Sequence, residues 1–582
     1  MVSKVAASRH GSQSDSLISS GKAWWLIGLI APVLLATMAC GGADAGSGRQ
    51  GADLILVNGS IRTMDPAAPM ASAVAIRNQH IVAVGDRAAI RPWIVRSTRV
   101  IDLKGKTVTP GLTDSHAHLL GLGASVENVS LKGAVSEAEA ANVAAAAAAK
   151  LPPGEWLIGR GWDQNLWAGQ EFPRASTLDK LIGDRPASLR RIDGHALWAS
   201  TAALTLAGID RDTPDPRGGT IVRAANGQPT GVLIDMAMDL VEDKIPPATD
   251  EVRERRILLA ARMAIEAGLT CVHEMGIDQR TADIYRNLAD EGRLPLRIYA
   301  FLAGDPAVAE QLTRKVAETD RDGLQMFILR GVKLFADGAL GSRGARLLAP
   351  YTDTPDSEGL WITQPGELAR AVEAATSGGW QVAIHAIGDA GVRSVLDAYE
   401  AVGNQHPGQD LRLRVEHAQV VAPDDMQRFA KLGVIASMQP THATSDMPWA
   451  EARLGPERIR GSYAWRTLLE SGAHVAFGSD FPVEDVAPLG GIYAGISRQD
   501  RQGQPPGGWY PDETLTLDQA VAAFTSAGAF ASFVEDFRGR IQRGMVADLT
   551  VFDRDLAAAG AVTEAQISMT IVGGVVVFES AP

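Results

Sequence analysis

The segment V-T-P-G-L-T-D-S-H-A-H-L, residues 108–119, sets His116 and His118 two positions apart. Side chains at i and i+2 share one face of a β-strand, so the two imidazoles are expected to project together from a strand end. Neutral imidazole is the commonest side-chain metal ligand, and such a pair is how a metal centre starts. Alone, the pair is a weak signal. Its weight comes from polar residues that close other apolar runs far downstream: Asp193, Gly194 and His195; His273 and Glu274; Lys333; His385; His417; Gln439 to His442; and Asp480. The chain has 11 histidines, and His116, His118, His195, His273, His385, His417 and His442 all stand at such ends. Random placement would scatter them, so the pattern points to a metal site.

Elements must bring those ends together. Short apolar runs at 107–113, 187–192, 270–273, 331–335, 381–384, 412–415, 434–438 and 474–477 alternate with helix-like segments such as 252–267, 365–377 and 423–432. This alternation predicts βα units and a parallel sheet. Eight runs match a (β/α)8 TIM barrel, an α/β fold whose catalytic groups sit at the C-terminal strand ends. The barrel is expected over 107–540. Residues 125–250 are too long for one βα unit and read as an insertion over the barrel mouth. Its Trp156, Trp162, Trp167 and Trp198 would wall an apolar pocket or form a satellite core. Short β-type runs at 53–57, 71–76, 80–84 and 100–103 are matched by others at 547–552, 568–572 and 575–578. They predict a small β-sandwich domain built from both chain ends, 52–106 and 541–582.

The 582-residue chain is 46% hydrophobic and 21% charged, a composition that folds rather than staying disordered. Its net charge of −13, with no block of Lys or Arg, argues against a nucleic-acid partner. The leader differs from the rest. Lys4, Arg9 and Lys22 precede an apolar run at 23–39, then Cys40 and a Gly-rich stretch. Residues 1–40 therefore resemble a bacterial lipoprotein signal, and 41–51 a flexible tether. Cys40 would carry the lipid and hold the chain at the membrane of the cell envelope. Plain secretion or an uncleaved anchor are the alternatives, since Thr37, Met38 and Ala39 depart from the usual residues before such a Cys. Only Cys271 would remain, so no disulfide can form within one mature chain. Cys271 lies in an apolar stretch, where a packed thiol is expected rather than a catalytic one.

The motifs together are similar to those of the amidohydrolase superfamily, nearest the amidohydrolase family 3 branch that includes N-substituted formamide deformylases. They are V-T-P-G-L-T-D-S-H-A-H-L, R-I-D-G-H-A-L-W, G-V-K-L-F-A-D-G-A-L-G-S-R-G-A, V-A-I-H-A-I-G-D, R-V-E-H-A-Q, F-G-S-D-F-P-V and the terminal G-x-x-A-D-L-x-V-F-D at 544–553. The resemblance runs from residue 52 to the C-terminus. It implies that His116, His118, His385, His417 and Asp480 are metal ligands. It also implies that Lys333 is carboxylated to an anionic ligand able to bridge two ions; the alternative is a Lys paired with Asp337 or Glu274. One or two divalent ions are implied. Zinc suits the donors first, and Mn, Fe or Co suit them too.

The chemistry follows from such a site. A divalent ion lowers the pKa of a water from 15.7 toward about 7, and that water attacks an amide-type carbonyl of a small molecule. Asp480 would take the water's proton and pass it to the leaving nitrogen; the competing role is a helix N-cap. His195 would contact substrate or the oxyanion, or be a loop histidine held by Asp193. Arg343 would clamp a substrate carboxylate or form a structural ion pair. Asp337 would orient backbone, and His273 and Glu274 would support the ligands from behind. Cyclic amides, esters or carbamates are alternative substrates of the same site, and a binding protein on an inactive scaffold is the competing class. A homodimer is compatible with the sequence.

Overall fold

The computed structural model describes residues 51–304 and 318–581. Its largest sheet has eight strands paired in chain order. They are β1 (Leu112–Ala117), β2 (Leu269–Ile277), β3 (Arg297–Ala303), β4 (Phe327–Phe335), β5 (Gln381–Ala386), β6 (Arg414–His417), β7 (Ile435–Met438) and β8 (His474–Phe477). Every neighbouring pair is parallel. Helices α1 (Asp250–Glu266), α2 (Gln279–Asp290), α3 (Pro365–Ser377), α4 (Asp389–Gln405) and α5 (Pro423–Leu432) alternate with the strands. Buried Ile257, Ala260 and Ala264 of α1 join Leu269 and Val272 of β2 in one core. Strands covered on the outside and filled on the inside read as continuous apolar runs, which is why the sequence shows them without alternation.

Local signals set the helix ends. α5 begins with Pro423 in its first turn beside Asp424 and Asp425, carries Lys431 in its last turn, and stops at Gly433 with φ 65°. Each choice suits the helix dipole or the left-handed cap.

The loop after β8 ties the last strand to the first. Asp480 N donates to the His116 carbonyl (2.8 Å), and Ser479 donates from N (3.1 Å) and Oγ (2.6 Å) to the Asp114 carboxylate. A Cβ at Gly478 would stand 2.6 Å from both Asp114 Oδ1 and His116 N. The chain can pass there only as glycine.

Two of the expected barrel strands are corrected. The run at 187–192 is not in the barrel: Ala187–Arg191 lies in a separate six-stranded sheet, between Leu157–Trp162 and Ala196–Ala199. Expected as the second strand, it gives way to β2, which includes the run at 270–273, and the third place is taken by β3, Arg297–Ala303, a run the alternation did not single out. Both runs are short, apolar and buried, so periodicity cannot assign either to a sheet. The run at 107–113 divides at Gly111. Thr107–Pro110 pairs with Leu549–Phe552, and only β1 enters the barrel.

The smaller β-structure draws on both chain ends. Leu54–Val57, Ala73–Arg77, His80–Gly85 and Arg99–Asp102 form one sheet; Ser60–Arg62, Met70–Ala71, Thr107–Pro110, Leu549–Phe552, Ile567–Val572 and Val575–Glu579 form the other. Within the long segment after β1, Trp162, Trp167 and Trp198 are buried in their own core, with Trp162 Nε1 donating to the Leu189 carbonyl (2.7 Å) and Trp167 Nε1 to that of Ala134 (2.9 Å). Trp156 packs at the edge of a neighbouring cluster. Cys271 is buried, and burial pushes its thiol up to about 11, so it stays protonated. The leader 1–40 with Cys40, and the tether as far as residue 50, lie outside the described residues.

Candidate metal centre

The barrel's C-terminal strand ends gather the candidate ligands. His116 is the fifth residue of β1 and fully buried; His118 follows the strand and caps the next helix, its side chain 36% exposed to the cleft. His417 ends β6, His385 is near the end of β5, and Asp480 follows β8. Ring centroids of His116 and His118 are 5.6 Å apart, and those of His417 lie 4.6 Å from both His116 and His385. Asp480 Oδ1 is 3.2 Å from His118 Nε2 and 3.6 Å from His116 Nε2. Donors about 2.1 Å from a tetrahedral ion stand about 3.4 Å apart, so this spacing fits a shared ion.

Hydrogen bonds from behind fix which nitrogen faces inward. His116 Nδ1 donates to Glu416 Oε2 (2.5 Å), His118 Nδ1 to the Met275 carbonyl (3.0 Å) and His417 Nδ1 to Gln439 Oε1 (2.8 Å). Each neutral ring then keeps its Nε2 lone pair for the centre. His385 is reversed: Nε2 donates to the Gly338 carbonyl (3.3 Å), leaving Nδ1. His116 Nε2 and Asp480 Oδ1 are buried without any hydrogen-bond partner. Buried polar atoms left unpaired cost stability, and a bound cation would satisfy both. The residues present therefore fit a divalent ion.

Electrostatics keep the donors in ligand form. Burial lowers His116 to about 4 against the pull of Glu416, and lowers His385 and His417 well below the usual imidazole range. Burial alone would raise Asp480. The neighbouring imidazoles of His118, His116 and His417 outweigh it, and the carboxyl stays ionised. His417 and Asp480 also hold left-handed backbone, φ 72° and 58°, strain of the kind that persists where surrounding structure over-determines a functional position.

Lys333, in β4, is buried with its Nζ 3.8 Å over the Phe335 ring. Burial lowers it to about 8. It pairs with neither expected partner. Glu274 accepts from Leu119 N, Leu120 N and Tyr285 Oη, and Asp337 accepts from Ile387 N, Gly388 N and Arg346 N. Asp337 thus orients backbone, and Glu274 anchors the helix after His118. His273 is buried beneath the site beside Arg414.

His195 comes from the separate sheet, not from a barrel strand. Its ring lies 4.9 Å from that of His385, and its Nδ1 is 2.6 Å from Asp235 Oδ1. Asp193 bonds the His195 backbone (3.1 Å) rather than its ring. Burial would lower His195, but Asp235 outweighs it and raises the imidazole. Arg343 is not brought in: its guanidinium pairs with Asp353 at 3.0 Å, and it is absent from the lining of both cavities that meet at His385, His417 and Asp480.

Three further residues belong here. Glu416 sits between His116 and Arg414, whose Nε donates to it at 2.7 Å; a charged residue inside an apolar strand was the available signal. Asp235 ends the run V-L-I-D. His442 was one of the strand-end histidines without a role. Its Nε2 lies 3.7 Å from Asp480 Oδ2 and has no partner, while its Nδ1 accepts from Gln419 Nε2 (3.1 Å), so the ring turns an N–H toward Asp480. His442 stands close to His417 and Asp480, but with its proton on Nε2 it is a donor there rather than a ligand.

The profile of the amidohydrolase family matches residues 99–578. The chain is 35% identical over 546 residues to Protein LONG AFTER FAR-RED 3 of Arabidopsis thaliana, covering 90% of this chain and 91% of that protein. It is 30% identical over 545 residues to the N-substituted formamide deformylase of Arthrobacter pascens, covering 90% and 98%. Among solved structures, an uncharacterized metal-dependent hydrolase from Pyrococcus horikoshii matches with a TM-score of 0.70 at 28% identity, over 87% of this chain and 98% of that one.

Proposed function

The chain belongs to the amidohydrolase family, and from that premise we propose that it cleaves an amide-type bond of a small molecule with activated water. The observation that carries this reading is the pair of orphaned buried atoms, His116 Nε2 and Asp480 Oδ1, facing the inward nitrogens of His118 and His417. His116, His118, His385, His417, Asp480 and a carboxylated Lys333 would hold one or two divalent ions, zinc first. Such an ion supplies Lewis acidity and lowers the pKa of a water toward about 7.

The chain's own residues do the rest. Asp480, ionised and with one oxygen free, accepts the attacking water's proton and returns it to the leaving nitrogen. His442 directs an N–H, and His195 backed by Asp235 a second donor when protonated, toward the oxygen on which charge develops. A cavity of about 290 Å³ beside the cluster, lined in part by Leu166, Leu340, Ile387, Trp449 and Val483, takes the substrate's apolar body. Lys333, lowered by burial, has the neutral amine fraction that carboxylation requires.

N-substituted formamides head the substrate panel because of the Arthrobacter relative. Chelation should abolish turnover of the active amides, and zinc, manganese or cobalt should restore it. Full turnover by metal-free protein would overturn the reading. We also propose that Cys40 is lipidated and holds the protein at the cell envelope; palmitate labelling that survives Cys40→Ser ends that part.

A further inference from the structure

A second cavity of about 690 Å³ opens on the other side of the cluster, lined by His116, His118, Lys333 and Asp480 and, from the separate sheet, by Arg160. Four arginines reach this cavity, and three are ion-paired. Arg190 pairs with Glu242 (2.6 Å), Arg253 with Asp278 (2.7 Å) and Arg256 with Glu127 (2.7 Å). Arg160 has no ion pair among the described residues. Its Nη2 donates to the Ile192 carbonyl (2.7 Å), and its Nε is buried without a partner.

The fold places this cation at a cost. Arg160 stands in register opposite Arg190 on the adjacent strand, and like charges side by side are unfavourable. The ladder then slips between Arg160 and Trp162. Gly161 makes the slip, at φ 103°, where a Cβ would stand 2.9 Å from Lys132 N. Such bulges re-aim a side chain. The acids whose fields act on Arg160 are turned elsewhere: Asp480 into the cluster with His116 and His118, and Asp193 onto Arg191 at 2.5 Å. A guanidinium held in a partly desolvated cleft without a counter-ion is a ready carboxylate receptor.

We propose that Arg160 is the anion anchor of the cleft, and that the substrate is an amide-type molecule bearing a carboxylate held by Arg160 while its scissile bond lies over the histidine–Asp480 cluster. The proposal rests on the cleft being the active site. It makes Arg160 a specificity-determining residue rather than a catalytic one. The carboxylate and the apolar body would then sit in different cavities, with the cluster between them.

Two probes of similar shape, phenylacetate and phenylacetone, differ in charge, and neither contains a hydrolysable bond. Calorimetric titration of the metal-loaded protein should show a preference for phenylacetate of about 10- to 100-fold, the span of a charge-assisted contact. Arg160→Gln should bring the two within about threefold, and Arg160→Lys, which keeps charge without the planar fork, should fall between. No preference in the wild-type protein overturns the proposal. So does a preference that survives in Arg160→Gln at equal metal content, because the carboxylate then sits on the metal. If the Gln variant does not fold, the Lys variant decides: a preference at least threefold weaker supports the anchor, and an unchanged one overturns it. The read-out needs no turnover. Failure to hydrolyse any amide therefore leaves this test intact, and loss of the charge preference leaves the hydrolase reading intact.

Discussion

The two ends of the barrel both bury charge, and they treat it in opposite ways. At the floor, Arg297 opens β3 and donates to both oxygens of Asp548, at 2.7 and 3.1 Å, and to the Leu324 carbonyl at 2.9 Å. Gly573 N gives Asp548 a further donor at 2.7 Å. At the mouth, His116 Nε2, His442 Nε2 and Asp480 Oδ1 are equally buried and end on nothing. Burial of polar groups therefore does not mark the site. Orphaned atoms gathered at one point do: the Arg297–Asp548 pair is complete without a ligand, whereas His116 Nε2 and His442 Nε2 stand 3.6 and 3.7 Å from the Asp480 carboxylate with nothing between them to bond.

Mutations at the two ends should separate function from stability. The largest effect belongs to the mouth. His116→Ala and Asp480→Asn should each lower turnover about a thousandfold, and His116→Ala should also lose bound metal by elemental analysis. The unfolding free energy of metal-free Asp480→Asn should change by less than about 1 kcal/mol, because its Oδ1 has no partner to lose, whereas His116→Ala also takes a donor from buried Glu416 and should cost about 1–3 kcal/mol. A metal-free Asp480→Asn destabilised by several kcal/mol would erase the contrast.

The floor should answer in reverse. Asp548→Ala leaves Arg297 buried and unpaired, which costs about 3–5 kcal/mol, measured by urea unfolding. Turnover per bound metal should stay within about twofold in the folded protein. A matching fall in turnover would mean that the two ends are coupled.

The smallest effect is a pH dependence. Burial raises the Asp548 carboxyl, but Arg297 outweighs it and holds it below the usual carboxylate range. A pKa depressed in the folded state contributes stability in full above the unfolded value, about 3.9, and loses it as pH falls through the folded value. The lead of wild type over Asp548→Asn in urea midpoint should thus be flat from about pH 5 to 8 and shrink below about pH 4. A lead that holds level to about pH 3 would show that charge is not what the pair contributes.

Residue order alone shows some of this and hides the rest. His116 and His118 are legible because a strand repeats every two residues. Lys333, His385, His417 and Asp480 are legible because each ends an apolar run. Arg160 is invisible in G-R-G-W, since nothing local says that Arg190 beside it is neutralised by Glu242 and Arg160 is not. Arg343, the arginine that the loop sequence offered, is held by Asp353, which also pairs with Arg453.

What the amino-acid order determined by itself is the inventory: βα alternation, strand-end donors, and β-runs at both termini. These depend on near neighbours, and period and composition report near neighbours faithfully. The tertiary structure alone decided that 187–191 leaves the barrel and 297–303 enters it. It also decided which nitrogen of each histidine faces inward and which buried charge is left unmatched. Those outcomes depend on pairing across long stretches of chain, as between His116 and Glu416, and no local pattern carries the energy of a contact that only the fold creates.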